Sequence, residues 1–419
     1  MTIDAGNTAF VLMAAALVLF MTPGLAFFYG GMVRAKHVLA MLMQNYFAMG
    51  LISILWALVG FSLAFGKGNG WIGDFHFTGL ANLADTSKDV LPGYVGDFAL
   101  TVPPLAFAAY QMMFAVITPA LITGATADRL KFSAYALFIG AWAVLVYSPI
   151  AHWVFSPQGW LFKKGALDFA GGAVVHINAG IAALALLLVL GKRRGWQREP
   201  MPPHSLPLTL LGTGILWFGW FGFNAGGALA ANGLAAQAFV NTHLAAAAAM
   251  CAWLLVERIK GGHATTLGAA SGAVAGLVAI TPCAGFIGAG SAMAVGAFAG
   301  IVCFLALSLK TRFKFDDALD VIAVHLVGGI LGSLLVGLFA DKGVNSLGAD
   351  GLFFGGGMSL MGKQLLAVGA TIAYSGVMSF AIAKVIDLAI GLRVPEEDEA
   401  VGLDLTQHSE TAYSFSGRM

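Results

Sequence analysis

Residues Asp168–Gly191 read DFAGGAVVHINAGIAALALLLVLG, and after Asp168 the one ionisable side chain is His176. From residue 170 onward the run is long enough to cross a hydrocarbon core about 30 Å thick. Backbone polar groups placed there must be satisfied within the segment, so the run reads as a helix. Ten further stretches of the same kind lie near 8–32, 38–66, 99–126, 132–153, 206–229, 236–256, 264–284, 285–309, 318–340 and 364–391. The fold class is therefore an all-α membrane protein with eleven transmembrane helices. Composition agrees. The 419 residues are 59% hydrophobic and 10% charged, against roughly 45–50% and about 25% in soluble domains. A water-soluble globule is excluded, and too little chain remains for a separate catalytic domain. The net charge of +1 offers no basic surface for nucleic acid. Cys251, Cys283 and Cys303 fall in apolar stretches without CxxC spacing and read as packing residues. Asp4 is the only charge before the first apolar run and the first cation is Arg34, so that run is expected to be a retained span rather than a cleaved signal.

Cationic loops stay on the cytoplasmic side. With the N-terminus outside, the inner loops hold thirteen cations: Arg34, Lys36, Arg129, Lys131, Lys192, Arg193, Arg194, Arg198, Arg258, Lys260, Lys310, Arg312 and Lys314. The outer loops hold six, Lys67, Lys88, Lys163, Lys164, Lys342 and Lys363. The expected topology is N-out and C-in, and its weakest point is the short connection around Thr281–Gly290. An odd number of spans invites two inverted five-helix repeats plus an eleventh helix. The halves would cover about 8–191 and 206–340, with the extra helix at 364–391, giving a transmembrane domain over 1–391 and a cytoplasmic tail over 392–419. One echo supports this. Asp168 precedes His176 by eight residues, and Asp317 precedes His325 by eight. At 1.5 Å per residue each histidine would sit about 12 Å along its helix, near the membrane middle.

Ionisable groups at that depth are costly and are functional candidates by default. His176 and His325 qualify; a lone buried histidine reads as structural, but two at equivalent places in two halves point to a pathway. Neutral imidazole carries one donor and one acceptor, so paired rings can share a hydrogen bond and still offer a polar edge to a proton or a small amine. A metal would need three or four ligands, and no Cys, Glu or third His shares this depth, so neither metal nor cofactor is expected. Asp168 reads as a helix N-cap with an added electrostatic pull on cations. Tyr110 and Phe114 lie four apart on one helix face, and Trp217, Trp220, Phe221 and Phe223 crowd another span; most such rings pack against helices or lipid. Among the glycine runs only Gly226-Gly227, after Phe223-Asn224-Ala225, suggests a break lining a cavity.

Several segments resemble ammonium transporters of the Amt/Rh type, in order along nearly the whole chain. They are Phe28-Tyr29-Gly30-Gly31, Gln111-Met112-Met113-Phe114, Asp168-Phe169-Ala170-Gly171-Gly172 with Val175-His176-Ile177-Asn178, Gly219-Trp220-Phe221-Gly222-Phe223-Asn224, Thr281-Pro282, Val324-His325, and the tail from Gly391 to Glu397. The resemblance implies twin pore histidines at His176 and His325, and a phenylalanine gate at Phe114 and Phe223. It also implies outer recruitment by Asp168, with Trp220 and Thr281 beside the pathway. It implies a homotrimer in a prokaryotic-type plasma membrane, with one pore per subunit. The tail would be an ordered segment docked under a neighbouring subunit, and a PII-type nitrogen-regulatory protein could plug the inner exits. Two residues depart from the family pattern. Phe155 stands where a Trp usually cradles the cation, and Gly227 where a Ser usually donates an oxygen. Both weaken the outer cation site, a Phe face being a poorer π partner; Trp153 is the ring that rotation could bring in instead.

The implied function is transport, not catalysis. Burying an isolated ammonium-sized ion costs on the order of 20 kcal/mol in the idealised limit, while desolvation favours a neutral amine. Ammonium would thus shed its proton at the gate and cross as ammonia, with the proton relayed separately and potassium excluded. The alternative is an ammonium sensor or regulatory scaffold with weak conduction, suggested by Phe155 and Gly227. A signalling domain after the last span, which that role would favour, is not expected. A membrane metalloenzyme lacks ligands.

Overall fold

The computed structural model describes residues 2–85 and 90–413. Lys88, Arg418 and the rest of the last six residues lie outside them. Among the described residues ten helices are long and apolar enough to span a bilayer. They are α1 (Ala5–Met32), α2 (Ala35–Phe65), α3 (Pro104–Thr126), α4 (Phe132–Lys164, broken at Ser156–Gly159), α5 (Gly172–Leu190), α6 (Leu206–Ala228), α7 (Gly233–Gly261), α9 (Ala289–Arg312), α10 (Ile322–Phe339) and α11 (Ser359–Ile390). Between α7 and α9 lies the shorter apolar helix α8 (Thr266–Ile280), which continues into turns where the sequence suggested an eleventh full span. Two short helices, α12 (Glu396–Val401) and α13 (Leu403–His408), follow α11. No strand occurs among the described residues; Leu130 and Arg393 form one isolated bridge.

Side-chain caps set the starts. Asp4 accepts from the Asn7 N–H, Ser205 from Leu208, Asn232 from Ala235 and Thr265 from Gly268, each closing an orphan donor of a first turn. α5 ends where Gly191 takes φ +78°, a conformation glycine adopts freely. Among the described residues four helices contain a π-helical turn: Trp56–Gly60 in α2, Ala143–Tyr147 in α4, Gly172–Ile177 in α5 and Ile322–Val327 in α10. Such turns widen the helix and re-aim side chains, and the last two carry His176 and His325.

α1 packs along α6, α7 along α9, and α5 against α10. The last crossing is close because glycine occupies both sides of it. A Cβ on Gly180 would lie 2.6 Å from the Leu326 backbone nitrogen, and one on Gly329 would lie 3.1 Å from the His176 Cβ.

One face of the bundle carries a buried charge network. Asp128 pairs with Arg34 at 3.0 Å and Arg193 at 3.6 Å, and Arg193 pairs with Asp316 at 2.8 Å. Arg129, fully buried, donates to the carbonyls of Gly191, Ala127 and Asp316. Burial alone would raise the Asp128 and Asp316 carboxyls, but the surrounding cations outweigh it and hold both below the usual carboxylate range. The tail joins this face and is ordered, resting on loops of its own chain. Leu403 donates its N–H to His37, Asp404 accepts from the Ala40 N–H, Glu399 accepts from the Arg194 N–H, and Val394 donates to the Arg129 carbonyl. These backbone and carboxylate contacts, rather than the acidic composition, explain why the segment folds.

Candidate functional site: a narrow apolar passage with a histidine pair

His176 and His325 are brought together. Their Nδ1 atoms lie 3.2 Å apart, the ring planes are within 20° of parallel, and both side chains are buried. One Nδ1 must donate to the other, so in a neutral pair one ring presents Nε2–H and the other an Nε2 lone pair. His176 Nε2 has no partner among the described residues. The pair borders a cavity of about 10 Å³, room for one water-sized guest. Apart from the two histidines and the Trp220 indole its walls are apolar, including Leu25, Ile117, Leu121, Val175 and Val274. Trp220 lies parallel to His176 with centroids 5.5 Å apart, and its indole N–H donates to the Thr281 hydroxyl at 2.9 Å. Trp220 therefore forms part of the cavity wall, and Thr281 holds its indole from behind.

Phe223 roofs that cavity, and Phe114 floors a second, larger one. Their rings are 4.4 Å apart at 45°, so they separate the two spaces. Tyr110 steadies both: its ring abuts Phe114 at 4.9 Å, and its hydroxyl donates to the Phe223 carbonyl at 2.8 Å. The larger space is a vestibule of about 670 Å³ walled by Tyr110, Phe155, Asp168 and Gly227 among others. Gly227 lies in a short 3-10 turn, Gly226–Ala228, that ends α6.

Asp168 is a cap with both oxygens engaged. Oδ1 accepts from Gly171 and Gly172 at 2.8 and 2.6 Å, and Oδ2 from Ala173 and Val174 at 2.8 and 3.3 Å. Asp317 does the same for α10, accepting from Val321 at 3.1 Å and Ile322 at 2.7 Å. Asp168 stands at the vestibule and Asp317 beside the charge network. Burial, and then the Asp320 charge, push the Asp317 carboxyl above the usual carboxylate range.

Trp153 does not reach the vestibule. Its N–H donates to the Trp71 carbonyl, and its ring packs on Trp71, Trp160 and Tyr374. His152 is likewise occupied, both ring nitrogens lying within 2.9 Å of the Ala64 and Asn69 carbonyls. No group of three metal-ligating side chains occurs among the described residues. Sequence reasoning missed Gly180, whose place four residues after His176 mirrors Gly329 after His325; the shared offset is the signal that could have found it.

The helical bundle, with a small apolar cavity at the histidine pair and a larger vestibule beyond Phe114, defines an all-helical polytopic membrane protein. The chain matches the Ammonium Transporter Family over residues 9–413. An ammonium transporter of Mycobacterium tuberculosis is 50% identical over 99% of this chain and 91% of its own length, and one of Bacillus subtilis is 48% identical over 98% and 99%. Among solved structures, Saccharomyces cerevisiae Mep2 superposes with TM-score 0.87 at 34% identity, covering 99% of this chain and 93% of Mep2. A sensor Amt protein superposes with TM-score 0.86 at 30% identity, covering 96% and 98%. The chain belongs to the Ammonium Transporter Family, a family of membrane transporters and not of enzymes.

Proposed function

We propose that this protein transports ammonium across the plasma membrane by stripping the ion at the Phe114–Phe223 gate and passing neutral ammonia along His176 and His325. The reading rests on one observation above all, the 3.2 Å imidazole contact beside a small cavity whose other walls are apolar apart from the Trp220 indole. A bare cation finds no carboxylate and no ring of carbonyls there to replace its water. An amine that has left its proton behind needs one donor and one acceptor, which the pair supplies. The proton moves separately through the imidazoles, and potassium, having none to lose, is refused. In the vestibule the aromatic faces of Tyr110 and Phe155 attract the incoming ion. Asp168 acts there through its fixed negative charge, since its lone pairs are spent on α5.

The topology belongs to the same proposal: eleven crossings, N-out and C-in, as two inverted five-helix halves and a last helix. Several contacts support it. Loops following α1, α3, α5 and α9 meet in one charge network together with the tail, and the Thr281–Ile287 turns after α8 touch Phe169 and Asp341 near the vestibule. α8 thus takes the chain from one face to the other although it has only 15 residues. The capping aspartates and π turns of α5 and α10 are paired features of the two halves. A homotrimer, and a PII-type protein at the charged face, complete the assignment. A sensing role has less support: Phe155 and Gly227 are accommodated in the vestibule, and relatives at 45–50% identity carry the transporter name.

The test is His176→Ala, His325→Ala and the corresponding Glu variants, reconstituted in vesicles, with ammonium and potassium fluxes compared. Removal of the pair is expected to lower ammonium flux, and a buried carboxylate to admit potassium. Unchanged selectivity in all four variants would overturn the relay.

A further inference from the structure

The vestibule is far larger than ammonium requires, and its outer part holds features that the transport reading leaves unused. Asp97, in the turn Gly96–Phe98, lines it with a carboxylate that makes no hydrogen bond or ion pair among the described residues. Beside it Phe98, 41% exposed, meets Phe162 edge-on at 5.2 Å. No Lys, Arg or His lines this space among the described residues. Lys363 reaches the rim beside Gly165, and Lys163 is turned to Gln158.

We propose that Asp97, Phe98 and Phe162 form a second cation site, one that holds bulky, weakly hydrated organic cations of the quaternary ammonium class and occludes the vestibule. Aromatic faces with a nearby carboxylate are how proteins bind such ions, and a space of about 670 Å³ is in the range of small-molecule sites. Small inorganic cations would have to give up tightly held water for ring faces, whereas a tetra-alkylated nitrogen has little to give up. The cation cannot follow ammonium further. It has no proton to lose at the gate, and the cavity below has room for one water-sized guest. Binding needs only the vestibule; occlusion of transport rests on the function proposed above.

The probe is benzyltrimethylammonium. Calorimetric titration of the purified protein at millimolar concentrations is expected to show saturable binding, weakened about fivefold by Asp97→Asn and again by Phe98→Ala. In vesicles the same compound is expected to raise the apparent KM for ammonium. Both variants should elute as wild type and transport ammonium normally without the probe. Absence of binding, or binding indifferent to both substitutions, overturns the site, even where ammonium flux is intact. Binding that is sensitive to them but leaves flux untouched overturns the occlusion. Loss of ammonium flux in the unblocked wild type would refute the transport function while leaving the binding result standing.

Discussion

Gly180→Ala asks whether the close crossing of α5 and α10 creates the histidine pair. A Cβ at this position would lie 2.6 Å from the Cβ and N of Leu326 and 2.7 Å from its Cα. Two of these atoms are backbone and cannot swing aside. Restoring ordinary contact at about 3.5 Å parts the helices by about 0.9 Å. Leu326 adjoins His325, and Gly180 lies one turn beyond His176, so most of that displacement reaches the rings. The Nδ1···Nδ1 distance of 3.2 Å would open to about 4 Å, outside hydrogen-bond reach. Gly329→Ala adds the same methyl to the other side of the crossing, but its Cβ would meet Ile177 Cγ1 at 3.0 Å and the His176 Cβ at 3.1 Å. A shift of a few tenths of an ångström relieves that. Losing one hydrogen bond of about 1.4 kcal/mol slows a step about tenfold, which is the expectation for Gly180→Ala; Gly329→Ala should cost about twofold to threefold. The assay is ammonium-driven pH change in vesicles, with thermal unfolding in detergent as the control for folding. Wild-type flux in Gly180→Ala, or a larger loss in Gly329→Ala than in Gly180→Ala, would refute the claim that backbone approach sets the pair.

Three further outcomes are expected. Asp168→Ala leaves four backbone N–H groups without their acceptor and should cost about 2 kcal/mol of stability. Asp168→Asn should recover only part of it, because the amide nitrogen then faces two donors, as thermal unfolding of both variants will show. Gly227→Ser places a Cβ 3.0 Å from the Phe169 carbonyl oxygen, which Phe169 can accommodate by a small shift, and supplies a hydroxyl to the vestibule. The apparent KM for ammonium should fall about threefold, and an unchanged KM would count against the vestibule as the recruitment site. Asp128 and Asp316 have folded pKa values depressed by their cationic partners. Their contribution is fully present above the unfolded carboxylate value, about 3.9, and is lost as pH falls through the lower folded values. The unfolding midpoint should therefore drop in acid, and Arg193→Gln should lower the midpoint at neutral pH and shrink that acid drop.

How much could be read from the chain alone follows from the range of each interaction. Spans are written locally. Apolar length, capping side chains and the glycines that stop helices act over a few residues, so Asp168–Gly191 declared its helix and placed its one further ionisable side chain, His176, eight residues past the cap. Asp317 caps α10 with the same offset to His325. α8 was the exception, because it gains its position from packing between α7 and α9 and needs fewer residues of its own.

What only the tertiary structure decided are the relations between elements. The imidazoles face each other because glycines at 180 and 329 let two backbones approach, and π turns aim the rings; neither is visible in hydropathy. Phe114 and Phe223 came from different helices to bring their rings within 4.4 Å, with Tyr110 touching both. Trp153, though adjacent in sequence to the right place, turned to Trp71 and left the vestibule to Phe155. The acidic tail, which composition describes as solvated, folded against Arg194, His37 and the start of α2, because partners up to several hundred residues distant satisfied its backbone. Local chemistry fixes where a helix runs and which residues it buries. Distances between side chains on separate helices depend on how those helices cross, and that is set by the whole set of contacts at once.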